Sequence, residues 1–415
     1  MLKKQKNRIY QYLGIILLGE LFYFLVVVLS HGSGFTCIIF GDHYDTFADF
    51  FKPLYAWSGN PYQEGVANYP ALATMMFRLV HHMIPKDVAV GSGLEYRSVN
   101  YAWVAFILFN IFSIWLACLS VDERLSLDKN EKRLFSLTIF LSAPVLFALE
   151  RGNQVNLAFA LTAFFVFFYE NDNKIVRGLA YFSLAVAAAL KIYPAIYGFL
   201  LVKERKWKES IRLAGCGAVV FLMPFLYYGK GSIHSFVESL ISFSGGLGNH
   251  FAYNYALSSI VTLFGTFFGS SLPKSVVSLI CIVVNIGVFV AFFITSIRWE
   301  KEFLLTLLLL WIPKVSDAYV MIFMIIPFTT FINDMKQRKE NGAIPSWKDI
   351  IPAVLFAVLF MPIALPELRS YRMGGYVLTY SYIVYFICLI VLAIFVVSKN
   401  YNQGLQKKRA TRCVK

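Results

Sequence analysis

The sequence predicts an all-α, polytopic transmembrane protein, and three observations lead to that fold class. Hydrophobic residues make up 58% of the 415 residues and charged residues only 15%, whereas soluble domains carry about 25% charged residues. Apolar runs recur along the whole chain, with connectors between them. Basic residues are concentrated in every second connector, which is typical of loops that stay on the cytoplasmic side of a membrane.

The apolar runs set the expected number of membrane helices at about 10–13, counting runs below the roughly 20 residues that a straight crossing needs. Because several runs are that short, we expect short, broken or re-entrant segments that protein or water covers. Residues 178–202 can form either one long helix or two short ones that meet at Lys191. The candidate spans are 9–30, 99–120, 134–149, 157–169, 179–190, 193–202, 210–228, 275–297, 302–313, 318–333, 350–365 and 376–397.

We predict a single integral membrane domain over residues 1–415. The first apolar run is too long for a signal peptide and no clear cleavage site follows it, so we interpret it as an uncleaved span. Two long connectors stand out: residues 31–98 form the first outer loop, with an acidic motif, and residues 229–274 form a second large outer segment.

The distribution of charge predicts the orientation. Of the 38 Lys and Arg residues, 27 fall on the side that carries the N-terminus, so we expect a multi-pass protein of the cell membrane with cytoplasmic N- and C-termini. The net charge of +14 is spread over residues that border apolar spans, which favours contact with anionic membrane lipids and argues against nucleic acid as a partner. The six cysteines are scattered without a CxxC pair, so we expect neither a disulfide framework nor a zinc site.

The first outer loop is the richest candidate for chemistry. Asp45 and Asp49 would share one face if this stretch were helical, and two close carboxylates resist ionising together, which suits one of them to accept a proton. A solvated acidic turn or a helix N-terminus explains the same spacing. Further along lie Tyr62 and Tyr69, followed by a predicted amphipathic helix over 71–83 in the plane of the interface.

A second cluster interrupts the apolar runs at residues 150–156. Arg151 can hold a phosphate or a carboxylate through its planar fork, although ordinary snorkelling towards lipid headgroups also explains an arginine there. Asn153 and Gln154 stand beside it. Short polar turns seldom need so many amides, which favours a binding site.

A third candidate is Lys191, which lies between an Ala-rich helix and the sequence Ile-Tyr193-Pro. A lone lysine in such surroundings is costly to bury and is a functional-site hypothesis by default. Two weaker sets break apolar runs on the outer side: residues 248–258, with His250 and Asn254, and residues 312–319. For both of them a plain loop is the simpler explanation.

These residues place carboxylates, two cations, amides and histidine on one predicted side of the membrane. A carboxylate can act as general base on an acceptor hydroxyl, and cations can neutralise a departing phosphate. Together they are the groups needed to move a sugar from a lipid phosphate to a hydroxyl.

The motifs also resemble a known family in their order and spacing. Asp45 stands 17 residues before Tyr62, and Tyr69-Pro-x-Leu, Arg151-Gly-Asn-Gln and Leu-Lys191-Ile-Tyr-Pro follow. This series resembles glycosyltransferase family 87, which contains polyprenol-phosphate-mannose-dependent mannosyltransferases of the GT-C class. The resemblance implies a GT-C-type membrane enzyme whose active site faces the outer side. Asp45 is at the position of the catalytic aspartate, and Asp49 is the alternative candidate.

The resemblance further implies a hexosyltransferase with a polyprenyl-phosphate sugar donor, mannose first among the sugars. The acceptor would be a hydroxyl of a cell-envelope glycolipid or glycan. Transfer would invert the anomeric configuration and need neither metal nor cofactor. Residues expected to bind substrate are Tyr62, Tyr69, Arg151, Asn153, Gln154, Lys191, Tyr193, His250 and Asn254.

Two other functions remain open at this stage. A secondary transporter would explain helix breaks and buried charge, but it also predicts a repeat between the two halves, and we find none. A polysaccharide polymerase or ligase would use polyprenyl-linked sugars as well. Such an enzyme more typically places its large catalytic loop late in the chain, whereas the acidic loop here comes first.

Overall fold

The computed structural model describes residues 7–33, 46–63, 67–85, 91–246, 254–269, 272–341, 347–363, 371–373, 376–378 and 380–413. Its α-helices, in chain order, are α1 (Asn7–Leu29), α2 (Ala48–Ala56), α3 (Ala71–Met83), α4 (Asn100–Arg124), α5 (Lys129–Phe140), α6 (Ala143–Arg151), α7 (Val155–Phe168), α8 (Lys174–Leu190), α9 (Phe199–Lys203), α10 (Trp207–Tyr228), α11 (Ser232–Gly246), α12 (Leu257–Phe267), α13 (Lys274–Ile294), α14 (Arg298–Trp311), α15 (Ile325–Glu340), α16 (Trp347–Phe360) and α17 (Tyr380–Cys413).

Shorter elements complete the described structure. Short 3₁₀ helices cover Gly93–Ser98, Tyr193–Gly198 and Ala318–Met324. The strands β1 (Tyr371–Met373) and β2 (Tyr376–Leu378) pair antiparallel as a small hairpin. Helices dominate the described residues, and the predicted all-α class is confirmed.

Six helical stretches of the described residues are long and apolar enough to cross a membrane. A seventh arises if α5 and α6, which are bent by 52° at a short break, count as one span. Three shorter apolar helices, among them α7, accompany them, so the expectation of short and broken segments is met. The total of about 10–13 crossings depends on these shorter helices and stays a prediction. The six stretches are Ile9–Leu29, Asn100–Arg124, Trp207–Tyr228, Lys274–Ile294, Ala318–Arg338 and Tyr382–Tyr401.

The contacts divide the chain into two compact units that alternate along the sequence. The first unit comprises Met1–Ile39, Leu125–Leu146 and Asn249–Lys415, and the second comprises Phe40–Arg124 and Phe147–Gly248. The prediction of a single membrane domain is not tested by this division and stays a prediction.

In the second unit, α7 is the central helix. It is apolar on all sides and most of its residues are buried, as expected for a helix that has neighbours all around it. It packs against α4 and α8, and α8 in turn packs against α10. This packing fixes both ends of α7, and two of the predicted amides, Asn153 and Gln154, directly precede its first residue.

The break after α8 settles the ambiguity in 178–202. The helix ends at Leu190, and Lys191 has an extended backbone with φ −141° and ψ 127°. A 3₁₀ helix with Pro194 in its first turn follows. Proline is tolerated there because the backbone N–H that it lacks would have no acceptor within the helix. Two short segments therefore meet at Lys191.

The predicted amphipathic helix is present with the expected bounds. In α3, Ala73, Thr74 and Phe77 are buried on one side, while Leu79 and Met83 are exposed on the other. His81 Nδ1 lies 3.0 Å from the Tyr96 hydroxyl, and burial lowers the pKa of His81. That α3 lies in the plane of the interface stays a prediction.

An aromatic cluster holds α2 in place. Phe50, Phe51, Trp57, Phe77 and Phe106 form its centre and come from α2, α3 and α4. Their rings make edge-on and tilted contacts with centroids about 5–6 Å apart, the range in which aromatic pairs attract beyond simple burial. This core therefore fixes α2 and α3 against α4 within the second unit.

In the first unit, helix ends are fixed by buried polar contacts. Asp128 and Glu131 form a reciprocal capping box at the start of α5, which satisfies two backbone donors. At the start of α14, the buried Glu300 binds Lys399 Nζ at 2.5 Å and Asn400 Nδ2 at 2.8 Å, both from α17. The start of α14 is joined in this way to α17, which is distant in sequence.

The turn between α6 and α7 requires glycine at position 152. Gly152 has φ +63°, and a Cβ there would lie 2.7 Å from the Phe106 ring and 3.2 Å from Cβ of Phe50. We predict that Gly152→Ala lowers the free energy of unfolding by about 1–3 kcal/mol, measured by thermal or denaturant unfolding in lipid or detergent.

The matched control is Gly178→Ala in α8, where no atom lies within 4 Å of the added carbon. Because alanine is favoured over glycine in a helix, this variant should be as stable as the parent or slightly more stable. Equal stability of Gly152→Ala and the parent would contradict the packing described for this turn.

Candidate active site

An ion pair joins the start of α2 to the end of α6. Arg151 Nη2 lies 2.6 Å from Asp49 Oδ1, and its Nε lies 3.2 Å from Oδ2. The two side chains are only 13% and 17% exposed. A two-pronged contact between arginine and carboxylate is strong and geometrically specific, so it fixes the orientation of both groups.

Asn153 adds a third donor to the same carboxylate. Its Nδ2 donates to Asp49 Oδ2 at 2.7 Å and lies 3.4 Å from the Tyr69 hydroxyl oxygen. Its Oδ1 accepts the backbone N–H of Val155 at 2.9 Å. The amide therefore links the first turn of α7 to both outer-loop residues.

Lys191 lies directly after the last residue of α8 and is 8% exposed. Its Nζ is 4.0 Å from the centre of the Tyr69 ring, within the range of a cation–π contact. The backbone carbonyl of Tyr69 accepts the Tyr62 hydroxyl at 2.7 Å. The lysine thus contacts the Tyr69 ring, and Arg151 contacts the Asp49 carboxylate.

Gln154 fixes the helix end that bears this lysine. Its Nε2 donates to the carbonyl oxygen of Leu190 at 3.2 Å, and a helix leaves such carbonyls without partners inside the helix. Its Oε1 is buried and accepts no hydrogen bond within the described part of the chain. Gln154 therefore positions Lys191 and also presents an acceptor.

The predicted motifs of the second unit converge in one polar cluster. Asp49, Tyr69, Arg151, Asn153 and Lys191 form a continuous chain of contacts, which we name the clasp. Tyr62 and Gln154 contact it from two sides. Tyr193 opens the 3₁₀ helix two residues after Lys191.

Other predicted site residues are not part of the clasp. Asp45 and His250 lie outside the described residues. Asn254 lies in the first unit, where its Oδ1 accepts the N–H groups of Ala256 and Ser316 at 3.0 and 2.9 Å. Its Nδ2 donates to the Lys314 carbonyl at 3.2 Å. These bonds give Asn254 a structural role, and its part in substrate binding stays a prediction.

Of the two aspartates, only Asp49 is among the described residues, and its helix does not extend back to position 45. Phe47 has a left-handed backbone with φ 56°, and α2 begins only at Ala48. Asp49 is therefore in the first turn of α2, where a negative charge is favoured. The argument from a shared helix face does not apply.

Two polar features lie outside the list of expected site residues: Asn156, an amide of the predicted 150–156 cluster, and Glu20, which the sequence analysis missed. Asn156 Nδ2 donates to Asn110 Oδ1 at 2.9 Å and thereby joins α7 to α4. In the first unit, Glu20 is fully buried in α1, and neither carboxylate oxygen has a hydrogen-bond partner among the described residues. An acidic residue inside an apolar span is itself a signal for a functional residue.

The family model of glycosyltransferase family 87 matches residues 45–313, about two thirds of the chain. The chain belongs to glycosyltransferase family 87. It is therefore a membrane glycosyltransferase, and every residue of the clasp lies within the matched region. No curated protein and no solved structure matches the chain.

The three bonds of the Asn254 side chain lead to a prediction for the first unit. We predict that Asn254→Ala lowers the free energy of unfolding by about 2–4 kcal/mol, because it leaves two buried N–H groups without acceptors. Asn285→Ala serves as control, since Asn285 Oδ1 has no partner among the described residues. Unfolding curves of both variants are compared with the parent. A stable but inactive Asn254→Ala would instead favour a role in substrate binding.

Proposed function

We propose that this family 87 enzyme transfers a sugar, mannose first among the candidates, from a polyprenyl-phosphate donor to a hydroxyl of a cell-envelope glycolipid or glycan. Transfer takes place on the outer face of the cell membrane, with the N- and C-termini in the cytoplasm, and inverts the anomeric configuration. The observation that carries the proposal is a buried lysine that directly precedes a residue lining an apolar groove.

The groove runs between α8 and α10 in the second unit and has a volume of about 540 Å³. Ser210 is its one polar lining residue, and many of the others are alanine or glycine. Ile192 and Leu222 at its edge are 43% and 46% exposed, which leaves it open to surrounding lipid. A long, branched hydrocarbon chain fits such a lining.

The position of Lys191 relates this groove to phosphate chemistry. Ile192 lines the groove, and Lys191, the residue before it, contacts Tyr69 in the clasp. An ammonium group is a strong point charge that binds phosphate well. A lipid phosphate with its chain in the groove therefore has a cation within reach of its headgroup.

The proposed reaction is a displacement at the anomeric carbon. Asp45 takes the proton of the acceptor hydroxyl, and the hydroxyl oxygen forms a bond to the anomeric carbon. The bond from that carbon to the phosphate oxygen breaks, and polyprenyl phosphate departs with the electron pair. Lys191 stabilises the added negative charge on the phosphate, as expected for a preorganised cation.

Neighbouring polar groups would hold the sugar and the acceptor. The Gln154 Oε1 atom is a buried acceptor close to the end of α8. A small rotation of the Gln154 side chain would let this atom accept a hydrogen bond from a sugar hydroxyl. Membership in the family favours this transferase over the transporter, and it gives the acidic first loop a chemical role.

The first test compares wild type with Asp45→Asn in lipid. Radiolabelled polyprenyl-phosphate mannose, glucose and galactose are offered with a membrane extract as acceptor. We predict transfer by the wild type and a loss of at least about 10²-fold in Asp45→Asn, because general-base catalysis contributes that much. Asp42 is a third aspartate of the same acidic motif and a further candidate for the base from the sequence alone. Asp42→Asn is the matched control and should stay active. An active Asp45→Asn beside an inactive Asp42→Asn would reassign the base, and no transfer from any donor would contradict the proposal.

The groove itself can be tested with two glycines of α10. Gly217 lines the groove, and a carbon added there meets no atom within 4 Å. Gly217→Leu should fill the groove and raise KM for a long-chain donor about tenfold or more, while a donor with a very short chain is used as before. The KM rises because the donor chain loses apolar contact area in the filled groove.

Gly215→Leu is the control, because Gly215 also has open space around it but does not line the groove. It should leave KM for both donors unchanged. Equal KM values for the long-chain donor in Gly217→Leu and in the parent would contradict the assignment of the groove.

A further inference from the structure

The start of α2 is fixed to the α6–α7 turn by contacts of three kinds. The backbone N–H of Phe47 donates to the carbonyl oxygen of Glu150 at 2.7 Å. The Asp49 carboxylate binds Arg151 and Asn153. Gly152 gives the turn the close approach to α2 that any Cβ would prevent. Backbone, charge and packing all act on the same few residues.

The backbone of this segment is also strained. Phe47 adopts φ 56°, a left-handed conformation that is unfavourable for a residue with a large side chain. Its ring packs at 5.5 Å from Trp103 and at 5.0 Å from Phe106. Such a conformation persists only where the surroundings determine it strongly, so the segment is held in one place.

Both oxygens of the Asp49 carboxylate accept hydrogen bonds from neighbouring side chains. Oδ1 accepts from Arg151 Nη2, and Oδ2 accepts from Arg151 Nε and Asn153 Nδ2. A carboxylate that accepts bonds from a guanidinium and an amide fixes the positions of both donors. The carboxylate is thus used for holding its neighbours.

We infer that Asp49 is a positioning residue: paired with Arg151, it holds the segment that leads back to Asp45, which stands two residues before Phe47. The inference rests on the proposed function, in which Asp45 is the base. It also gives the two cations different roles: Arg151 forms the ion pair with Asp49, and Lys191 binds the donor phosphate. The sequence analysis had assigned both cations to the phosphate and Asp49 to catalysis.

The test uses both single variants, Asp49→Asn and Arg151→Gln, the double variant, and the reversed pair Asp49→Arg/Arg151→Asp. Transfer is measured as kcat and KM for the donor, per amount of folded protein. Each single variant should lose about 10²-fold in kcat, the cost of a misplacement of about 1 Å. The double variant should be no worse than either single variant, and the reversed pair should regain at least about a tenth of the wild-type rate.

A residue that acted as the base would behave differently. Asp49→Asn and the reversed pair would then be equally inactive, while Arg151→Gln would keep most of its kcat. That result overturns the inference. Activity of the reversed pair supports it directly, since an arginine at position 49 cannot accept the proton.

A second readout does not depend on transfer. Thr46→Cys is introduced into the wild type, both single variants and the reversed pair, and is labelled with a membrane-impermeant maleimide. Labelling should accelerate at least about fivefold when the pair is broken, since local opening exposes the segment, and slow again in the reversed pair. The parents without Thr46→Cys give the background from the native cysteines.

Glu170→Gln is the control for labelling, because it removes an ion pair with Lys206 in which the two side chains are 42% and 34% exposed. Unchanged labelling in both single variants would overturn the inference even if transfer fell. Wild-type protein that transfers no sugar but shows the expected labelling would refute the proposed function alone.

Discussion

The ion pair between Asp49 and Arg151 is the contact on which the arrangement of the clasp depends. It joins residues 102 positions apart in the chain and is largely shielded from water. Removing one partner of a buried pair is destabilising by about 3–5 kcal/mol, because the other charge is left uncompensated. The pair therefore makes the first outer loop and the α6–α7 turn mutually dependent, and Asn153 extends the dependence to Tyr69 and so to Lys191.

The packing around the clasp allows its polar groups to keep one geometry. The aromatic cluster holds α2 on one side, and the buried helix α7 holds the turn on the other. Gln154 then ties α7 to the end of α8, where Lys191 begins. Because these supports are buried and packed, they hold Lys191 in one position, which is the property that its proposed electrostatic role requires.

Much of the fold and of the site could be predicted from the sequence, because the signals are local. Hydrophobic runs gave the membrane class, periodicity gave the bounds of α3, and the polar interruptions marked Arg151 and Lys191. The spacing of the motifs led to the correct family. The individual roles of these residues were less visible, because they depend on partners distant in sequence.

Asp49 and Asn153 illustrate that limit. A short acidic or amide-rich motif looks the same whether its groups bind a substrate or each other, and only the fold shows that they bind each other. The start of α2 at Ala48 depends on the strained backbone of Phe47, which no local pattern predicts. Glu20 was visible in the sequence as an acid within an apolar span, and its burial without a described partner follows from the packing of the first unit.

The most direct test of this account is an experimental structure of the enzyme in lipid with a non-reactive polyprenyl-phosphate bound. The account predicts the phosphate next to Lys191 Nζ, the hydrocarbon chain between α8 and α10, and the Asp49–Arg151 pair intact. A phosphate bound by Arg151 with Asp49 displaced, or a chain bound outside the groove, would contradict it.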